Sequence, residues 1–170
     1  LSWAAIQSVY ADEPTEHQRC AEALGLDCPL DVFAQLFHDH HGDAQLAELL
    51  RFVDWSTVTW EQGELSGVAL RRVGIPRPFE HAIDEVRWRT AAEGFRDERP
   101  EVMVHWMQAH TWIRTPILVT GEILQSAVEY ELLVGFTRLG NLLGALDRQD
   151  LPEYIRHRVW IGHTPGARGL

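Results

Sequence analysis

Gly135, Phe136, Thr137 and Arg138 carry the densest chemical signal in the chain. The run Tyr130-Glu131-Leu132-Leu133-Val134 before them is apolar and short enough for a buried strand. After them Leu139, Leu142, Leu143 and Leu146 recur at helical spacing. Strand, glycine turn and helix put Arg138 in the first helical turn, beside backbone N–H groups with no partner inside the helix. A guanidinium fork and the Thr137 hydroxyl at such a corner suit an oxyanion, above all a phosphate. The plainer alternative gives each residue a local task. Gly135 makes the turn, Thr137 caps the helix, and Arg138 pairs with Glu129 or Glu131.

A second cluster is His38-Asp39-His40-His41-Gly42-Asp43. His38 and His41 sit three apart and share a face if helical, and Asp39 and Asp43 could add oxygen ligands to a metal. The alternative is a polar interhelical loop with Asp43 as a helix N-cap. Asp54, Glu61 and Glu64 form an acidic group. In a phosphotransferase Glu61 would act as general base or hold Mg²⁺; otherwise it belongs to a solvated loop. His110 precedes the segment Thr111–Pro116 and is a candidate for catalysis or for plain structure. Trp112, nearby, either stacks a base or fills core. Arg71, Arg72 and Arg77 are the only obvious seed of a cationic groove.

Composition narrows the classes. All 15 cationic residues are Arg, and there is no Lys. A Walker-A loop and a Schiff-base lysine are therefore excluded, and phosphate recognition must use Arg. The net charge of −10 disfavours broad nucleic-acid binding. A chain that is 45% hydrophobic and 24% charged reads as a globular domain. No apolar run approaches the ~18 residues of a membrane span. Cys20 and Cys28 fit neither a zinc pair nor a dithiol motif, so free thiols in a reducing compartment are expected. The chain begins at Leu1 with no visible targeting signal, and the expected compartment is the cytoplasm.

These residues need elements to position them. Residues 1–52 read as a helical N-terminal segment. Thr15 would cap a helix ending at Gly25, Leu30 to Phe37 form a second, and Asp43 caps a third. Residues 54–61 read as a strand and 61–67 as a loop. Pro76 and Pro78 precede an amphipathic helix stopped by Gly94, and Pro100 opens another. Strands follow at 116–120, 130–134 and 157–161, with the corner helix between the last two. Residues 164–170 read as a flexible tail. The expected fold class is α+β over 53–163, a small mixed β-sheet flanked by helices.

The order of these pieces resembles the ParB/sulfiredoxin fold, the nucleotide-binding domain of chromosome-partitioning proteins and of sulfiredoxin. The resemblance is carried by Pro116-Ile117-Leu118-Val119, the Gly121-Glu122 turn, Tyr130 to Arg138, the helix over 139–146 and the strand His157-Arg158-Val159-Trp160-Ile161. It implies that Gly135 to Arg138 cradle nucleotide phosphates with Arg138 as the anchoring cation, and it brings Mg²⁺ with a nucleotide as the expected cofactor. Phe136 and Thr137 stand where sulfiredoxin has its cysteine and histidine, so its reductase chemistry lacks a nucleophile. Phosphoryl transfer or phosphoester hydrolysis is the expected reaction if the domain is catalytic. The ligand would be a nucleotide or a phosphorylated small molecule. Two other readings stay open: a non-catalytic interaction module that binds a protein partner or a second copy, and a nuclease or toxin-type domain.

Overall fold

A computed structural model describes residues 14–40 and 42–164. The chain is an α+β fold with a four-stranded mixed sheet. Helix α1 is Pro14–Ala23. Helix α2 begins at Leu30–Val32 and continues as a π-helix over Phe33–His38. Helix α3, Ala44–Leu50, precedes strand β1, Thr59–Ser66, and the short α4, Gly67–Leu70. Helices α5, Arg77–Glu93, and α6, Pro100–Ala109, lead to β2, Ile117–Thr120. Strand β3 is Tyr130–Val134, α7 is Phe136–Asp147 and β4 is Arg156–His163.

The strand order is β1-β4-β2-β3, with only the central β4–β2 pair parallel. Strand β2 is buried through Ile117, Leu118 and Val119, the unbroken apolar run expected of a strand covered on both faces. Alternation sends these residues to two cores. Ile117, Val119 and Leu133 pack with Phe33, Leu36, Phe37, Leu46 and Leu50. Leu118, Leu132, Val159 and Ile161 pack with Leu139, Leu142 and Leu146 of α7. The helices before residue 53 thus share a core with the sheet.

Local signals explain most boundaries. Asp43 accepts bonds from the N–H groups of Gln45 and Leu46 at 2.9 and 3.1 Å, the N-cap expected of it. Gly94 ends α5 at φ +82°, and Pro78 and Pro100 lie in first turns, where a missing N–H costs nothing. The acidic stretch 61–67 differs from expectation. Its first six residues are strand, because β1 pairs from Thr59 to Ser66 with the central strand β4, and ladder bonds override the weak local preference. Asp54 instead caps a single 3₁₀ turn through the Ser56 N–H and hydroxyl. The tail expected at 164–170 lies, from Pro165 onward, outside the described residues.

Helices α5 and α7 meet without room for a side chain. A Cβ on Gly144 would stand 2.5 Å from the Arg87 carbonyl oxygen and 2.6 Å from the Thr90 Cβ. One on Gly140 would meet Ile83 and Val86 at 3.0 Å. The Thr90 hydroxyl donates to Asn141 Oδ1 at 2.7 Å inside this contact, so the one buried polar pair is satisfied. Gly144→Ala gains about 1 kcal/mol of helix propensity. It must also force rigid backbone apart, and the expected net loss is ~1–3 kcal/mol. Thermal melting should show a drop of several degrees, while Gly42→Ala, with open space around it, stays near wild type. A Gly144→Ala melting point at or above wild type would contradict the tight seat assigned to α7.

Candidate functional site

Strand β3 ends at Val134, and Gly135 turns the chain into α7 at φ +107°. That backbone region favours glycine. A Cβ here would also meet the Arg138 guanidinium, with Nε at 3.2 Å and Cζ at 3.3 Å. The Arg138 side chain folds back over the bare glycine. Its Nη1 donates to Gln35 Oε1 at 2.8 Å and to the Arg114 carbonyl at 2.7 Å. Neither acceptor carries a charge. The expected local partners Glu129 and Glu131 do not pair with it, and no carboxylate does among the described residues. Burial first, then the facing Arg114 charge, pull the Arg138 guanidinium down to about 10. It remains a cation at neutral pH.

Gln35 reaches this point from the π-helical part of α2, a wider turn that turns Phe33, Gln35, Leu36 and Phe37 all inward. Only 1% of Gln35 is exposed, and it accounts for all its polar atoms. Its amide nitrogen donates to Asp31 Oδ1 at 3.1 Å and to the Thr115 carbonyl at 3.0 Å. Asp31 also accepts from Trp160 Nε1 at 2.9 Å. Arg114 pairs with Asp39 at 2.8 Å and approaches Asp31 at 3.6 Å. Burial opposes ionisation of Asp39, but its bonds from His38 and Arg114 prevail and hold it below the usual carboxylate range.

A cavity of about 270 Å³ opens beside Arg138. Arg99, Arg114, Thr137 and Asn141 give it a polar rim, and Phe95, Trp106 and Trp112 give it an apolar wall. The Phe95 and Trp106 rings stack at 4.2 Å, and Trp112 anchors its indole N–H on the Arg158 carbonyl at 2.7 Å. Asp97 is the only carboxylate in the lining, and both its oxygens are taken by Arg99 at 2.8 and 2.7 Å. Those bonds hold Asp97 below the usual carboxylate range. The cavity therefore presents three guanidinium groups and one neutralised acid against a flat apolar side.

The other sequence-derived candidates are placed as follows. Thr137 is exposed on the rim and caps nothing, since no side chain caps α7. Glu61 is exposed on the outer strand β1, opposite Ile161, and does not line the cavity. His110 ends α6 in the left-handed region at φ 52° and is exposed, next to the lining residue Thr111 but outside the lining itself. His38 bonds Asp39 through Nδ1 at 3.3 Å, and its ring lies 4.6 Å from that of His17, tilted by 50°; His41 lies outside the described residues. Asp39 faces Arg114 and Asp43 caps α3, so the proposed oxygen ligands are already engaged. Arg71, the start of the supposed cationic groove, is bound to Asp147 and Glu153.

Arg114 was within reach of sequence reasoning. Strands β2 and β3 are antiparallel, so residues entering β2 lie beside residues leaving β3, and Arg114 falls next to the Gly135 corner. Gln35, 103 positions from Arg138, has no such signal. Comparison with protein-family models, curated proteins and solved structures finds no match. The likeness to ParB and sulfiredoxin rests on the order and spacing of the residues quoted above.

Below the cavity, His157 is fully buried on β4, with Nδ1 2.9 Å from the Thr111 hydroxyl. Its Nε2 is buried without a partner among the described residues. Burial pushes the imidazole down to about 4. The unfolded chain, with an ordinary histidine near 6.5, takes up the proton first. His157 thus makes stability complete above pH ~6.5 and erodes it as pH falls towards ~4, by about 3 kcal/mol in total. Asp39, Asp97 and Asp147, all held below the usual carboxylate range, erode stability mainly below pH ~5, so the His157 contribution is read between pH ~6.5 and ~5. Melting curves from pH 7.5 to 4.5 should slope steeply for wild type and less for His157→Leu. Equal slopes would remove His157 as the cause.

Proposed function

We propose that the cavity beside Arg138 binds a phosphate-bearing small molecule, a nucleotide or another phosphoester, and that the domain belongs with the ParB/sulfiredoxin-like group. The observation that carries this reading is the state of Arg138. It is a largely buried cation tied to two neutral acceptors, with no carboxylate partner among the described residues, on the wall of an open cavity. Burial and the facing Arg114 make that charge costly, and Asp31 and Asp39 attract it without bonding it, which leaves the guanidinium without a directly bonded counter-charge. An oxyanion supplies that counter-charge, and a planar fork receives it in bidentate fashion. Arg114 faces Arg138 at the rim, and Arg99 stands there paired with Asp97.

The reading is one of binding ahead of catalysis. The cavity lining contains no histidine, and its one carboxylate is committed to Arg99. Glu61 and His110 would have to come into reach before either could serve as a base. No helix among the described residues is long and apolar enough to cross a membrane.

Thermal melting in the presence of AMP, ATP, CTP, GTP and simple phosphate esters tests the reading. A ligand at 100 times its Kd adds roughly 2.7 kcal/mol, or about 5–10 °C for a chain of this size. Arg138→Ala should abolish the shift. Because it also orphans Gln35, Gln35→Glu is the companion variant. It sets a carboxylate beside Arg138 and is expected to lose at least tenfold in ligand affinity; the new oxygen also replaces the donor to Asp31 and the Thr115 carbonyl, so its melting point should fall and its affinity is read by isothermal titration below that temperature. Silence with every phosphate compound would favour the protein-interaction module, and an undiminished shift in both variants would move the site elsewhere.

A further inference from the structure

Resting on the oxyanion reading of this cavity, we propose that its ligand is a small phosphate monoester with a flat apolar body, bound without a divalent cation. Three observations converge on that class. The first is the disposition of charge. Arg99 is spent on Asp97 through two bonds, and Arg114 is shared with Asp39 and Asp31. Of the three arginines lining the cavity, Arg138 alone bonds no carboxylate among the described residues. One cation free of any carboxylate bond, beside an Arg99 neutralised by Asp97 and an Arg114 shared between two carboxylates, matches a single phosphoryl group, which carries about −1.5 to −2 at neutral pH. A triphosphate would bring further negative charge that the lining does not meet.

The second is the donor set for a metal. Mg²⁺ needs hard oxygen ligands in octahedral array, usually carboxylates together with substrate phosphates. Asp97 has both oxygens on Arg99, and the nearby Asp31 and Asp39 are held by Gln35, Trp160 and Arg114. Among the described residues no group of three His, Cys, Asp or Glu side chains could hold a metal ion. The residues do not fit the Mg²⁺ that accompanies nucleotide triphosphates, and the extra phosphates would arrive with their charge uncompensated.

The third is size and shape. At about 270 Å³ the cavity lies just under the usual ~300–1,000 Å³ of sites for drug-sized ligands. Its apolar side is Trp112 and the Phe95–Trp106 stack, with Val102 and Ile113 beside them. A flat ring or short unsaturated body meets these surfaces with good contact, and a base, ribose and three phosphates exceed them.

Isothermal titration of the full chain with phenyl phosphate, methyl phosphate, inorganic phosphate and ATP, each with Mg²⁺ and with EDTA, tests the proposal. Phenyl phosphate is expected to bind at least tenfold tighter than methyl or inorganic phosphate, equally with Mg²⁺ or EDTA, and no more weakly than ATP. Arg138→Lys, which keeps a cation but not the fork, should weaken phenyl phosphate at least tenfold. In wild-type protein the indole N–H resonances of Trp106 and Trp112 should shift on titration, a readout that needs no variant to fold. ATP binding that is tighter and Mg²⁺-dependent would overturn this proposal and leave the oxyanion site standing. Equal affinity for phenyl and methyl phosphate would also overturn it. No binding of any phosphate compound would end both.

Discussion

A guanidinium inside a protein usually meets a carboxylate. Arg138 meets an amide oxygen and a peptide carbonyl instead, and the difference governs what its surroundings can do. Neutral acceptors fix the direction of the fork without cancelling its charge. A carboxylate at the same distance would have closed the site electrostatically, because in a poorly solvated pocket the two charges would satisfy one another. Gln35 is thus the decisive neighbour. It is itself held by Asp31 and by the Thr115 carbonyl, so its oxygen has one way to face. The chain links Arg138, Gln35, Asp31, Arg114 and Asp39 into one polar layer between α2 and the entrance to β2.

The rest of the architecture keeps that layer in place. Helix α7 cannot drift, because Gly140 and Gly144 let it lie directly against the backbone of α5. Helix α2 cannot drift either, because Phe33, Leu36 and Phe37 are buried in the core that covers one face of the sheet. Arg138 sits on the first and Gln35 on the second, so the sheet between them sets their separation. Preorganisation of this kind lets a charged site forgo the reorganisation that an exposed arginine would undergo on meeting an anion.

Legibility in the sequence followed the range of the interaction. Asp43, Gly94, Pro100 and Gly135 act within a few residues of themselves, and each does in the structure what local chemistry asks of it. The leucines at 139, 142, 143 and 146 are buried as their period requires. Residues 61–67 misled, because a polar, glycine-containing stretch looks like a loop until a long partner strand pairs with it. His38, His41, Asp39 and Asp43 looked like ligands because they are close in sequence. In space Asp39 turns to Arg114 and Asp43 to its own helix.

By itself, the sequence determined the α+β class, the strand-turn-helix corner and the position of Arg138 within it. It also determined that no lysine could supply the cationic contact to a phosphate, which leaves that contact to arginine. Only the tertiary structure decided that Arg138 would be held by neutral acceptors, and that Arg99, Arg114 and an aromatic wall would gather beside it. It alone decided that Glu61 and His110 would stand outside the cavity. The physical reason is separation along the chain. Caps, turns and periods are settled by neighbours a few bonds away, whereas the Gln35–Arg138 bond spans 103 positions and exists only once both faces of the sheet are covered.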